Sequence, residues 1–158
     1  RRQRQMCIRD RSWKDAEYCV KRWKGPFALK GVMSVEDAKR AIDIGASAIM
    51  LSNHGGRQLD GSRSPFDQLK TIVDAVGGKI EIIIDGGIRR GTHVLKALSL
   101  GATACSFGKG FLFALSARGQ KGVEMILQRM KEELIRDMIL LGKKNIGELS
   151  KENLAFRD

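Results

Sequence analysis

Three scarcities narrow what this chain is. No apolar run approaches the roughly 20 residues that a membrane-spanning helix needs, and no segment has the basic, apolar, small-residue succession of a secretory signal. Cysteine is scarce, with three in 158 residues. Cys7 falls in a basic leader, and Cys19 and Cys105 alone make neither a disulfide framework nor a metal motif, so no metal is expected and a reducing cytoplasm fits. Cys105 lies in an apolar run and reads as a buried small hydrophobe. Aromatic residues make up only 6% of the chain, and they do not interleave with basic ones as in single-strand nucleic-acid binders. No nucleic-acid partner is expected.

Residues 1–11 have no apolar periodicity and match the in-frame translation of a transposase-type sequencing adapter. They read as a leader foreign to the fold, the alternative being a natural basic, disordered arm. Five arginines and one aspartate sit there, so +4 of the net +11 belongs to the leader and +7 to the rest. Lys and Arg in the remainder are scattered among acids, and a phosphate cofactor with anionic substrates accounts for such a balance. Residues 12–149 are enough for one domain with a sizeable core. The stretch from Gly142 to Asp158 is polar and reads as a short helix plus a loose end, with 150–158 as the C-terminal tail.

What is present is a repeating strand–loop–helix rhythm. Apolar strands are expected at 27–30, 48–51, 81–85 and 102–107. Helices are expected at 35–44, after Ser34 with Asp37 as a capping-box variant, at 65–76, after Ser64 with Pro65 in the first turn, and at 92–100. Gly45, Gly77 and Gly101 stop them. Four β/α units in this order imply a parallel sheet. A short helix at 111–117 precedes a long one from about 119, whose stripe Val123, Ile126, Leu127, Met130, Leu134, Met138 and Leu141 reads as core contact.

Each strand ends in chemistry. Lys30 closes the first. Ser52-Asn53-His54-Gly55-Gly56-Arg57-Gln58-Leu59-Asp60 follows the second, Asp85-Gly86-Gly87-Ile88-Arg89 the third, and Gly108-Lys109-Gly110 the fourth. In a parallel sheet these ends share one side, where α/β enzymes place their sites. His54 is a base near neutral pH, and Arg57 can hold a carboxylate through two parallel hydrogen bonds. That pairing points to chemistry at the carbon beside a carboxylate. The glycines, Arg89, Lys109 and the helix N-termini just beyond them read as a phosphate clamp. Asp60 reads as a loop-ordering acid and Arg90 as solvated.

With those residues in view, the chain from Ser12-Trp13-Lys14-Asp15 to about Leu149 resembles the C-terminal half of the FMN-dependent α-hydroxy acid oxidase/dehydrogenase family. The carriers are Ser52 to Asp60 and Asp85-Gly86-Gly87-Ile88-Arg89-Arg90-Gly91-Thr92 in combination. The resemblance implies an α/β fold made of about four β/α units, the C-terminal half of a (β/α)8 TIM barrel, truncated relative to the eight units of a whole barrel. It implies FMN as cofactor and oxidation of an (S)-2-hydroxy acid, of the L-lactate or glycolate class, to the 2-oxo acid in the intact enzyme. It also implies residue roles. His54 would be the base and touch substrate, and Arg57 would bind the substrate carboxylate. Lys30 would face the flavin N1/O2 edge, and Ser52 would hydrogen-bond the flavin. Asp85, Gly86, Gly87, Ile88, Arg89, Gly108 and Lys109 would hold the ribityl chain and phosphate.

The chain departs from the family pattern in two places. Lys109-Gly110 stands where the family usually has arginine and proline, which keeps the charge but loses the guanidinium fork. His93 stands where the family often has an acid and is given no catalytic role. The electron acceptor stays open between oxygen, quinone and a cytochrome. A full-length homo-oligomer and a peripheral place at the inner membrane are further implications. The competing readings are a non-catalytic half barrel that binds FMN or phosphate, and another FMN barrel enzyme such as an isopentenyl-diphosphate isomerase-like or IMP dehydrogenase-like protein.

Overall fold

The computed structural model describes residues 11–156; apart from Arg11, the leader reading falls outside the described residues. The elements are α1 (Trp13–Trp23), β1 (Ala28–Lys30), α2 (Val35–Asp43), β2 (Ala48–Leu51), a 3-10 turn (His54–Gly56), α3 (Pro65–Val76), β3 (Glu81–Asp85), α4 (Gly91–Ser99), β4 (Ala104–Ser106), α5 (Lys109–Leu140) and two further 3-10 turns (Ile146–Glu148 and Lys151–Asn153). The strands form one parallel sheet in the order β1-β2-β3-β4. Successive strands are neighbours and each crossover contains one helix, as the rhythm of apolar runs and glycine stops predicts.

Local chemistry accounts for the boundaries. Ser34 and Ser64 accept the backbone N–H of Asp37 at 3.0 Å and of Asp67 at 3.1 Å, each satisfying a helix-start donor that has no intrahelical partner. Helix α1 is an addition to the sequence reading. Its signal is Ser12-x-x-Asp15, a reciprocal capping box in which the Ser12 N–H donates to Asp15 at 2.8 Å. Strands β1 and β4 are shorter than the apolar runs suggest, because pairing spans only Ala28 to Lys30 and Ala104 to Ser106.

Side chains alternate across the sheet. Ile49, Leu51, Ile82 and Ile84 face the helices and are buried against Ala38 and Ala41 of α2, Leu69, Ile72 and Val76 of α3, and Ala97 and Leu100 of α4. Each buried branched side chain contributes about 1.5–3 kcal/mol relative to exposure. The opposite face, with Ala28, Met50, Ile83 and Ala104, is only partly covered among the described residues. Parallel sheets are ordinarily covered on both faces.

Helix α5 breaks at Arg118 and Gly119, where Gly119 takes φ +58° and ψ −141°. The short and long helices of the sequence reading are therefore the two arms of one bent element. The core stripe holds only in part: Met130 and Met138 are buried, whereas Leu127 and Leu141 are 50% and 40% exposed. Periodicity identifies the shared face of a helix, and α4 covers only a strip of that face. In the C-terminal stretch Lys151 pairs with Asp74 of α3 and Leu154 packs against the core, while residues 157–158 lie outside the described residues. Among the described residues no helix is long and apolar enough to cross a membrane.

Candidate functional site

The period-two alternation of the strands sets the floor of the site. Lys30, Ser52 and Asp85 stand at the C-terminal ends of β1, β2 and β3, all on the face turned away from the helices. The Ser52 hydroxyl donates to Asp85 Oδ2 at 2.7 Å and accepts from Lys30 Nζ at 2.7 Å and from the His54 backbone N–H at 3.2 Å. One donor and two acceptor positions are thus filled. Lys30 also pairs directly with Asp85. Burial pushes the Asp85 carboxyl up, but the Lys30 ammonium and the Ser52 hydroxyl more than offset it, so the group lies below its ordinary value. Ser52 is 1% exposed and lies beneath the cleft surface, while Lys30 and Asp85 line it.

Above this floor runs the loop after β2. The Asn53 side chain accepts the Gly55 N–H at 3.0 Å and donates to the Arg63 carbonyl at 3.3 Å, an Asx turn that shapes the His-Gly-Gly segment. His54 itself has φ +56°, a left-handed conformation costly for a side-chain-bearing residue and concentrated at functional sites. Its imidazole leans over the end of β1: a Cβ placed on Gly31 would lie 3.4 Å from His54 Nε2. Arg57 follows one turn later and is exposed on the rim.

The loops after β3 and β4 form the opposite wall. Gly86 adopts φ +129° and a Cβ there would sit 3.3 Å from Pro65, so only glycine turns the chain at this point. Ile88 is buried in the core as well as bordering the cleft. The two helix N-termini differ. The first N–H of α4, on Gly91, is taken by Glu133 at 2.9 Å, and Thr92 donates to Asp137. That helix end is therefore neutralised by protein carboxylates, against the expectation that it faces a phosphate. Glu133 is 5% exposed and also receives Arg90 at 3.2 Å and Arg129 at 3.3 Å. Arg90 is thus an ion-pair partner of Glu133 while its side chain stays more than half exposed to solvent, as the sequence suggests. The start of α5, at Gly108 and Lys109, has no side-chain cap, and its first N–H groups remain available to an anion.

These walls enclose a cleft of about 670 Å³ lined by Lys30, His54, Arg57, Asp85 to Arg89, Gly108 and Lys109, with Asn53, Phe66, Phe107 and Leu112 among the others. All residues singled out from the sequence meet here, Ser52 from below. A Cβ on Gly55 would lie 3.8 Å from Lys109 Nζ, so this ammonium reaches across to the histidine loop. Asp85 is the one acid among the described lining residues, and it is paired with Lys30. Arg57, Arg89 and Lys109 form no ion pair among the described residues. The sequence reading gave no role to Asn53, whose signal is an asparagine two residues before a glycine; His93, singled out there without a catalytic role, places its Nδ1 3.2 Å from the Arg89 backbone nitrogen. Glu133 carries no local signal, being 42 residues from Gly91.

Comparison with known proteins finds relatives of the same fold. The L-lactate dehydrogenase of Vibrio cholerae serotype O1 (strain M66-2) is 46% identical over 146 residues, covering 92% of this chain and 39% of that protein. A solved structure of a flavocytochrome b2 variant with sulfite bound superposes with a TM-score of 0.89 at 43% identity, covering 92% of this chain and 39% of that one. Mandelate oxidase with benzoyl-formic acid superposes with a TM-score of 0.84 at 45% identity, over 87% of this chain and 41% of that one. The chain spans about two fifths of the length of the relatives it matches. The family model described as FMN-dependent dehydrogenase matches residues 2–156, and the chain belongs to that family.

Proposed function

We propose that the protein carrying this chain oxidises an (S)-2-hydroxy acid of the L-lactate or glycolate class to the 2-oxo acid with FMN, and that the chain supplies four of the eight β/α units of a barrel. The observation that carries the reading is charge. Three cations without a described counter-ion, Arg57, Arg89 and Lys109, face one cleft. A phosphate with about two negative charges and a carboxylate with one would match them. The partly covered sheet face supports the barrel reading, because further units closing the sheet would bury it.

The residues fit FMN. Arg89, Lys109, the Gly86-Gly87 turn, Ile88, Gly108 and the uncapped start of α5 would hold the phosphate and ribityl chain. Lys30 spends two of its three N–H donors on Ser52 and Asp85, and the third would meet the flavin's N1/O2 edge. Ser52, its hydroxyl already saturated, would serve the flavin by fixing Lys30. Bound FMN supplies the acceptor for the two electrons that the hydroxy acid loses. Arg57 would clamp the substrate carboxylate, orienting the hydroxyl toward His54. His54 Nε2 would act as the base, on the hydroxyl proton if the α-hydrogen leaves as hydride to the two-electron acceptor, or on the α-proton itself if a carbanion forms, the hydroxyl proton then being lost as the carbonyl appears. The left-handed backbone of His54 and the Asn53 turn set the direction in which the His54 side chain leaves the loop.

The test is anaerobic addition of L-lactate, glycolate and (S)-mandelate to the FMN-loaded protein of the reading frame that contains this chain, followed by flavin absorbance. Bleaching by one of these acids is expected. Arg57→Met should weaken that substrate by about 100-fold, the worth of a lost bidentate charged pair, with the flavin still bound. A yellow protein that none of the acids bleaches would overturn the substrate class.

A further inference from the structure

We propose that His93 is a positioning residue for the FMN phosphate, acting through the turn it holds; this rests on the assignment of Gly86 to Arg89 to that phosphate. His93 is the third residue of α4, and the N-cap residue, Arg90, offers no side-chain cap. A side chain at the third position reaches back over the helix start. Here Nδ1 lies 3.2 Å from the Arg89 backbone nitrogen and 3.1 Å from the Gly87 carbonyl oxygen. With the ring proton on Nε2, Nδ1 accepts the Arg89 N–H; with the proton on Nδ1, it donates to Gly87. In either form one ring atom spans residues 87 and 89.

That span matters because the turn has little else to hold it. Gly87 has φ +75°, with open space around the place a Cβ would occupy. The Arg89 N–H has no other acceptor among the described residues. Ile88 anchors the middle of the turn in the core. The His93 ring closes its two ends, so the Arg89 guanidinium leaves from a fixed backbone. Without the ring, the Arg89 backbone would sample several orientations, and the phosphate would have to order it on binding.

The chemistry distinguishes variants by where they place an acceptor. Asparagine carries Oδ1 the same number of bonds from Cα as histidine Nδ1, whereas glutamine places Oε1 where Nε2 stands. Alanine removes the acceptor and is a better helix former than histidine, so His93→Ala should melt like the wild type.

The experiment titrates the flavin-free protein of the reading frame that contains this chain with FMN and with riboflavin by flavin fluorescence quenching, for the wild type, His93→Ala, His93→Asn, His93→Gln and Arg89→Ala. The expected result is a wild-type preference for FMN over riboflavin that Arg89→Ala sharply narrows. His93→Ala should weaken FMN about tenfold, as for one lost hydrogen bond plus an ordering cost, and leave riboflavin unchanged. His93→Asn should recover the wild-type value and His93→Gln should not. If His93→Ala binds FMN like the wild type while Arg89→Ala does not, the role of His93 is refuted and the phosphate site stands. If the wild type binds riboflavin as tightly as FMN, the phosphate assignment fails and the role of His93 fails with it.

Discussion

Replacing Gly91 with alanine tests the packing that anchors the cleft wall. A Cβ at Gly91 would lie 2.3 Å from the Met130 carbonyl oxygen, 2.5 Å from the Leu134 nitrogen and 2.7 Å from the Glu133 Cβ. Two of those atoms are backbone of α5 and cannot rotate away, so α4 and α5 must separate. Such overpacking costs about 1–3 kcal/mol. Separation also breaks the 2.9 Å bond from the Gly91 N–H to the Glu133 carboxylate, about 1.5–3 kcal/mol for a charge-assisted bond. The better helix propensity of alanine returns about 0.5–1 kcal/mol. The sum is a destabilisation of about 1.5–5.5 kcal/mol, or roughly 3–20 °C in Tm for a chain of this size. Gly61 is the control: a Cβ there meets nothing within 4 Å and its φ is not in the left-handed region. Urea midpoints of Gly91→Ala, Gly61→Ala and the wild type decide the matter. Gly61→Ala should stay within about 0.5 kcal/mol of the wild type. If Gly91→Ala does the same, the close approach of α4 to α5 is wrong.

Three further outcomes are expected. Lys109→Arg restores a guanidinium fork beside the uncapped start of α5 and should tighten FMN by about three- to tenfold, read by the same quenching titration; unchanged or weaker binding would place Lys109 away from the phosphate. Asp74 is lowered from 3.8 to about 2, chiefly by its hydrogen bond from Lys151 and then by that from Lys70. The stability it lends is therefore complete above about pH 3.8 and is lost as pH falls toward about 2. Proteolytic release of the C-terminal turns should rise across that window and, in Lys151→Ala, should be high at every pH. Asp85 is also lowered, so its contribution is present above the unfolded carboxyl value and lost below it. The acid limb of the wild-type stability curve should flatten in Asp85→Asn, and an identical limb in both would refute the Lys30–Ser52–Asp85 network.

Local signals carried most of the fold. Glycine stops, serine caps and apolar runs act over a few residues, so α2, α3, α4 and the four strands are legible in the sequence, and even the break in α5 shows as Gly119. The site was legible because a parallel sheet brings strand ends together, which places Lys30, His54, Asp85 and Lys109 around one cleft. Relations that depend on distant packing were not legible. Arg90 reads as a solvated charge and is more than half exposed, but its pairing with Glu133 from 43 residues away has no local signal. The carboxylates that occupy the start of α4 come from the same helix. Leu127 and Leu141 share a face with Met130 and Met138, but periodicity does not state how wide a strip the neighbouring helix covers. Helix α1 was readable from its capping box alone, a weaker cue than an apolar repeat.

The bend in α5 has a consequence for how quickly a ligand is captured. The short arm begins at Lys109, and the long arm carries Glu133, which clasps Arg90 and Gly91 just beyond the Gly86–Arg89 turn. The arms meet tightly, since a Cβ on Gly122 would fall 2.0 Å from the Ala114 carbonyl oxygen. Both walls of the cleft thus hang from one bent helix whose arms are closely packed. For the phosphate site proposed above, capture is expected without a closing step, at a rate that follows encounter and charge and rises as ionic strength is lowered. Differences in affinity among variants of these walls will accordingly appear in how long the ligand stays.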